Sequence, residues 1–103
     1  MTVFMVVYTY RQDAAGREHV RDAHVEFLRE LAEQGVNLLS GPLDDGSSSG
    51  MQLMRSDSAQ GLTELLSRDP YAVHGFLTST QVHEWKPMLG WLTSYVDPAG
   101  GPR

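Results

Sequence analysis

Apolar positions recur along the chain with two different periods. The longest segment with the helical period spans residues 17–35. Apolar side chains return there every three or four residues, which predicts one amphipathic helix with a charged opposite face. The apolar stripe consists of Val20, Ala23, Phe27, Leu28 and Leu31. Gly35 follows the last turn, where a residue in the left-handed conformation commonly ends a helix. His24 falls inside the stripe, so the pattern directs its imidazole toward the core.

Shorter segments of β-branched and aromatic residues predict four strands. These strands are residues 3–10, 36–40, 51–55 and 76–85. The first strand is apolar on both faces, which is typical of a strand covered on both sides. We expect Pro42 to take the second strand out of the ladder, because proline lacks the N–H that pairing needs. Asp57 and Ser58 provide the N-cap of a second helix that ends near residue 67.

The remaining segments connect these elements or end the chain. Residues 44–50 are polar and glycine-bearing, and they predict a mobile loop that is either a simple linker or a cover for a site. Residues 88–96 are apolar enough for a fifth strand or a docked tail. Residues 97–103 predict a flexible C-terminal tail, which leaves residues 1–96 as one domain.

The order of the main elements is strand, helix, strand, strand, helix, strand. This order predicts a ferredoxin-like α+β fold, βαββαβ, with an antiparallel sheet and both helices on one face. The other face of the sheet also needs a cover, because the first strand is apolar on both sides. The simplest cover is the sheet of a second copy, which predicts a homodimer of the dimeric α+β barrel type.

Composition narrows the class of partner. The chain has 103 residues, no cysteine, a formal net charge of -5 and a pI near 5.2. An acidic chain without a basic face argues against nucleic acid, and the absence of cysteine fits a reducing compartment. The apolar N-terminus lacks a basic region and is too short to span a bilayer. We therefore expect a cytoplasmic protein that binds neither nucleic acid nor membrane.

The chemistry of the chain concentrates on the predicted first helix. Arg21 and Arg17 precede His24 by three and seven residues, so all three share one ridge of that helix. Buried charge is costly unless it is paired, and this makes the ridge the candidate site. His24 is either a packed core histidine or a general base. The arginines either anchor an anionic oxygen or pair with surface acids such as Asp13, Glu18 and Asp22.

Asp69 has two readings as well. An aspartate followed by proline is a typical N-cap, which needs no active site. A carboxylate can also orient a histidine base and stabilise its cation. Metal binding is not expected, because no two histidines are three or four residues apart. No cofactor is expected either, since nucleotide and phosphate-loop motifs are absent.

These residues resemble the YciI-like, or YCII-related, family over residues 3–85. The features that match are the spacing of Arg17, Arg21 and His24, then Gly35, the run Gly41, Pro42 and Leu43, the pair Asp57 and Ser58, and the run Asp69, Pro70 and Tyr71. The resemblance implies a dimeric α+β barrel in which His24 and Asp69 are the family's active-site pair. It also implies that the arginines and the Gly–Pro turn line the same cavity.

The resemblance implies proton-transfer chemistry on small oxygenated rings, because relatives of the family include a dehydrochlorinase of a chlorinated hydroxyhydroquinone. We therefore expect a small cofactor-free enzyme that catalyses an elimination, an isomerisation or a cyclisation on an anionic metabolite. The residues expected to contact the substrate are Tyr8, Arg17, Arg21, Gly41 and Pro42. The competing interpretations are a noncatalytic dimer that binds a small molecule, and a purely structural dimer.

Overall fold

The computed structural model describes residues 1–97, and these contain four strands and five helices. The strands are β1 (Thr2–Tyr10), β2 (Asn37–Pro42), β3 (Ser49–Ser56) and β4 (Leu77–Trp85). The helices are α1 (Ala14–Glu18), α2 (Arg21–Glu33), α3 (Ala59–Leu66), α4 (Pro70–Val73) and α5 (Thr93–Val96).

The four strands form one antiparallel sheet in the order β2-β3-β1-β4. Side chains alternate across β1, so every second residue faces the helices. Leu31 of α2 and Leu62 and Leu66 of α3 pack into one core with the inward side chains of the sheet, namely Phe4, Val6, Tyr8 and Met54. Both longer helices therefore cover the same face. The predicted ferredoxin-like α+β class is confirmed.

The helical segment that was predicted as continuous from residue 17 is two helices. Asp13 caps α1 by accepting a hydrogen bond from the Gly16 N–H at 2.9 Å, and α1 ends at Glu18. Val20 then has a ψ of 4°, well outside helical values, before α2 begins. The earlier start was missed because the cap at Asp13 precedes the periodic residues. Ala23, predicted in the apolar stripe, is exposed, whereas Gly35 ends α2 with a φ of +75° as expected.

Pro42 does not take the second strand out of the ladder. It lies opposite Gly50, and β2 continues to that point. An edge strand tolerates proline because one side of its backbone is unpaired, and β2 is at the edge of this sheet. Ser49 and Gly50, assigned to the loop from the pattern, belong to β3.

The outer face of the sheet is partly covered by the chain itself. The Arg55 guanidinium donates hydrogen bonds to the backbone oxygens of Tyr95 and Val96 at 2.8 to 3.0 Å. Residues 88–96 are thus a docked segment ending in α5, and the alternative of a fifth strand is wrong. The expectation of a flexible tail at residues 97–103 lies, apart from Asp97, outside the described residues. Within residues 1–97, no helix is long and apolar enough to cross a membrane.

Candidate functional site

His24 and Asp69 meet in the interior of the protein. The His24 Nδ1 lies 2.9 Å from each carboxylate oxygen of Asp69. The Asp69 side chain is fully buried and that of His24 is 11% exposed. A carboxylate can only accept hydrogen bonds, so Nδ1 carries the proton in this contact. The Nε2 atom is therefore the nitrogen that remains for a ligand.

Asp69 makes two kinds of contact, one with the start of α4 and one with side chains of the interior. Its Oδ1 accepts a hydrogen bond from the Tyr71 N–H at 2.9 Å, which makes Asp69 the N-cap of α4. Its Oδ2 accepts a hydrogen bond from the Tyr8 hydroxyl at 2.9 Å. Pro70 holds the first helical position, where its missing N–H costs nothing. The donors from Tyr8, Tyr71 and His24 together stabilise an ionised carboxylate away from water.

Tyr8 lies behind this pair rather than in contact with a cavity. It is fully buried on the central strand and its hydroxyl is directed at Asp69. Burial, together with the negative charge of Asp69, raises the pKa of Tyr8 far above its ordinary value. The expectation that Tyr8 contacts a substrate is therefore corrected, because it does not line the cavity. It keeps its proton and holds the Asp69 carboxylate in place.

A cavity of about 510 Å³ lies between α2 and the edge formed by β2 and β3. Its volume falls in the range of roughly 300 to 1,000 Å³ that is usual for small-molecule sites. Of the residues expected at the site, it brings together His24, Arg17, Arg21, Gly41 and Pro42. Asp69 is not a lining residue and reaches the cavity only through His24.

Two tyrosines that sequence reasoning did not assign to the site also line the cavity. The Arg17 guanidinium lies over the ring of Tyr10, 4.4 Å from the ring centroid. The rings of Tyr10 and Tyr71 are arranged edge to face, with their centroids 5.8 Å apart. Burial raises the pKa of both tyrosines, so both remain neutral hydrogen-bond donors at neutral pH. The signal for Tyr10 was present, since strand alternation places it on the same face as Tyr8.

The cavity is locally basic although the protein is acidic. Arg17, Arg21 and Arg29 line it together with the single carboxylate of Glu18. Arg29 is paired with Glu26 at 2.7 Å, which leaves Arg17 and Arg21 beside His24 as the cations available to a ligand. Arg17 and Arg21 belong to α1 and α2 respectively, so the predicted single ridge is instead a junction between two helices. Among the described residues, no group of three His, Asp or Glu side chains is placed to hold a metal ion.

An antiparallel four-stranded sheet with two helices on one face and a buried His–Asp pair beside an arginine-lined cavity defines a small ferredoxin-like α+β domain. The YCII-related domain model matches residues 1–86, and the chain therefore belongs to the YCII-related family. The family membership predicted from the sequence is confirmed. No curated protein sequence matches the chain.

Among solved structures, the chain is similar to 5-chloro-2-hydroxyhydroquinone dehydrochlorinase (TftG) from Burkholderia phenoliruptrix AC1100, in complex with 2,5-dihydroxybenzoquinone. The TM-score is 0.70 and the identity is 20%, over 82% of this chain and 93% of that chain. At this identity the likeness shows a common fold. The roles proposed for the residues of this cavity therefore rest on the geometry of this chain alone.

Proposed function

We propose that the protein is a cofactor-independent enzyme in which His24, oriented by Asp69, transfers a proton to or from a small anionic ring compound. The observation that carries the proposal is the 2.9 Å contact of Nδ1 with a buried carboxylate at the wall of an arginine-lined cavity. A histidine that served packing alone would not need a fully buried carboxylate held by two further donors, Tyr8 and Tyr71.

The proposed chemistry begins at His24 Nε2. With Nδ1–H donated to Asp69, the lone pair of Nε2 faces outward and can remove a proton from a carbon next to a carbonyl group. The imidazolium that forms is stabilised by the carboxylate, as in other enzymes in which an acid orients a histidine. The same imidazolium can then return the proton to another atom of the substrate. Isomerisation and cyclisation can use both steps, whereas an elimination uses the first step and is completed when a leaving group departs from the substrate with its electron pair.

Arg17 and Arg21 take the negative charge that the reaction creates. Removing a proton beside a carbonyl moves electron density to the oxygen, and guanidinium groups stabilise such an oxygen by charge-assisted hydrogen bonds. The side chains of Tyr10 and Tyr71 line the same cavity, so a substrate ring held there would lie beside them. A planar, enolisable or phenolic compound with an acidic oxygen is the class that this arrangement suits. The hydroxyhydroquinone in the name of the dehydrochlorinase described above and the dihydroxybenzoquinone bound to that protein are compounds of this class.

The test uses 2,5-dihydroxybenzoquinone, here called the quinone probe. Its ring hydrogens exchange with deuterium when a proton is delivered to a ring carbon and another is removed. We expect the protein to bind the probe in calorimetry and to accelerate this exchange, followed by NMR, with loss of acceleration in His24→Ala. Binding without accelerated exchange would assign the cavity to noncatalytic binding. Absence of both would overturn the proposal.

We also propose that two copies associate through the outer face of the sheet. The outward residues Met5 and Val7 of β1 lie beside Met51 of β3, which is 37% exposed, and Leu39 of β2 is 63% exposed. The docked C-terminal segment adds further exposed apolar side chains, including Leu89 at 81% and Trp91 at 92%. Exposed apolar side chains in this number are typical of an interface between subunits.

A further inference from the structure

The wall of the cavity formed by β2 and β3 carries polar side chains on the same sheet face as the core residues Val6 and Met54. Gln52 lies directly opposite Val6 in the sheet and is only 3% exposed. Its Oε1 is buried and accepts no hydrogen bond from the residues that the structure describes. Gln52 also lines the cavity, and because a half-turn of the amide exchanges its two ends, its oxygen can be presented to a group in the cavity.

Asn37 presents a second buried acceptor on the same wall. Its Nδ2 donates hydrogen bonds to the Leu28 backbone oxygen at 3.3 Å and to the Ser40 hydroxyl at 3.2 Å. A backbone carbonyl only accepts, so this contact determines which end of the amide is the nitrogen. The buried Oδ1 is then left without a partner among the described residues.

An unsatisfied buried acceptor lowers the stability of a protein by about 1 to 3 kcal/mol. Gln52 lies between Val6 of β1 and Ser40 of β2, and a leucine or methionine at this position would fill the same space without that cost. Two such acceptors on one cavity wall, with Ser40 opposite Gln52 in the register, are therefore better explained by a ligand than by packing. What they need is a hydrogen-bond donor.

We propose that Asn37, Ser40 and Gln52 form a second subsite that accepts hydrogen bonds from hydroxyl groups of the substrate. The proposal deepens the function above and rests on it for the reacting end, where the substrate meets His24 and the arginines. The substrate is thus a hydroxylated aromatic compound that has an acidic oxygen at one end and a neutral hydroxyl group at the other.

The spacing along α2 sets the size of this compound. Asn37 bonds to the backbone of Leu28, which lies seven residues after Arg21. At a rise of about 1.5 Å per residue, the two ends of the site are separated by about 10 Å along the helix axis. Two fused or linked six-membered rings fill such a length better than one ring does, and a cavity of about 510 Å³ admits them.

The test measures the contribution of one hydroxyl group to affinity. The probes are two matched pairs: naphthoate with and without a distal hydroxyl group, and biphenyl carboxylate with and without a para hydroxyl group on the far ring. Calorimetry with the full chain should show that the hydroxylated member of at least one pair binds about three- to tenfold more tightly. Equal affinity within both pairs would overturn the proposal.

Gln52→Met keeps the length of the side chain and removes the acceptor. In this variant we expect the hydroxyl preference, which is the ratio of the two affinities within a pair, to disappear. Gln52→Leu is the second variant if the first folds poorly. Gln60→Met, which makes the same substitution on the exposed side of α3, is the matched control and should retain the preference. A preference that survives in both Gln52 variants would contradict the subsite.

Thermal unfolding and proton exchange separate this proposal from its alternatives. A Gln52 side chain that only supported the fold would make Gln52→Met less stable, whereas a ligand-directed amide predicts an unchanged or raised Tm. Exchange of the quinone probe tests the reacting end alone. If exchange is accelerated and the hydroxyl preference is absent, the proposed activity is supported and the proposed subsite is contradicted. If the hydroxyl preference is present and exchange is not accelerated, the proposed subsite is supported and the proposed activity is contradicted.

Discussion

The ring of Tyr71 lies parallel to the imidazole of His24, with the ring centroids 3.8 Å apart and the planes inclined by 7°. The backbone N–H of the same tyrosine donates to Asp69. One turn of helix therefore supplies the carboxylate that binds His24 and the ring that limits how the imidazole can rotate. A histidine held in this way keeps its Nε2 in one orientation.

The first prediction concerns the proton carrier. His24→Ala removes the base, and we expect exchange of the quinone probe to fall by about 10²- to 10⁴-fold, the usual contribution of general acid–base catalysis. Asp69→Asn should lower exchange less, because the imidazole remains and only its orientation and the stabilisation of its cation are lost. NMR measures the exchange rate in each variant.

His74→Ala provides the control, since His74 is exposed and does not line the cavity. It should leave exchange at the wild-type rate. If His24 were only a packing residue, His24→Ala would lower Tm through the cavity it creates, and activity would fall only in proportion to the folded fraction. Circular dichroism of each variant therefore accompanies the exchange measurement.

The pattern of apolar positions predicts most of the fold because the sheet and the two longer helices bury one face each. It did not predict the junction at His19 and Val20, where no glycine or proline marks the break between helices. The cap at Asp13 is a readable signal, but it precedes the first periodic residue and lies in what looks like a connection. The prediction that Pro42 leaves the ladder was wrong because, in the sequence, a proline in an edge strand looks the same as a proline that ends a strand.

The site was predictable only in part. His24 could be placed because its position in the apolar stripe is a local property. The sequence could not show that Asp69 both caps α4 and contacts His24, because only the tertiary structure brings the two side chains together. The buried acceptor of Gln52 was also hidden, because a polar residue between Met51 and Leu53 looks like the solvent side of a strand until the sheet is oriented.

The second prediction concerns Tyr8. Burial and the charge of Asp69 raise the pKa of Tyr8 in the folded protein, so the native state keeps a proton that the unfolded chain loses near pH 10. The resulting stability is present below that pH and is lost as the pH rises further. Tyr8→Phe removes this contribution. We expect urea unfolding to show a weaker loss of stability between about pH 9 and 11 in the variant.

At neutral pH the same variant should be less stable by about 1.5 to 3 kcal/mol, because a hydrogen bond to a charged group is lost. Its exchange activity should fall only severalfold, since Tyr8 acts through Asp69 rather than on the substrate. Identical alkaline slopes for Tyr8→Phe and the wild type would show that the phenol does not hold its proton against Asp69.

The third prediction concerns anion binding. Arg21→Gln removes a guanidinium from the cavity and should weaken binding of the quinone probe by about tenfold or more, given the strength of charge-assisted hydrogen bonds. Arg68→Gln makes the same change at an exposed position away from the cavity and serves as the control. Equal affinities for the two variants, measured by calorimetry, would exclude Arg21 from the binding site.

The fourth prediction concerns association. Light scattering at micromolar concentration should give the mass of a dimer. Met5→Asp places a charge on the outer face of β1 and should shift the mass to that of a monomer, or unfold the protein, because an unpaired charge cannot be buried in an apolar interface. Gln60→Asp adds the same charge on the exposed side of α3 and should leave the dimer intact. A monomeric mass for the wild-type protein would contradict the proposed interface.

The last prediction concerns Gly50, which lies opposite Tyr8 on the inner face of β3. A Cβ at this position would collide with the Tyr10 hydroxyl oxygen. The Tyr10 ring carries the Arg17 guanidinium, so Gly50→Ala should displace both side chains and weaken quinone binding by about two- to thirtyfold, the range expected for losing a cation–π contact. Because Tyr10→Phe removes the colliding oxygen, Gly50→Ala should have little further effect in that background. Calorimetry on the four proteins of this cycle measures the coupling, and equal effects of Gly50→Ala in both backgrounds would show that Tyr10 does not transmit the change.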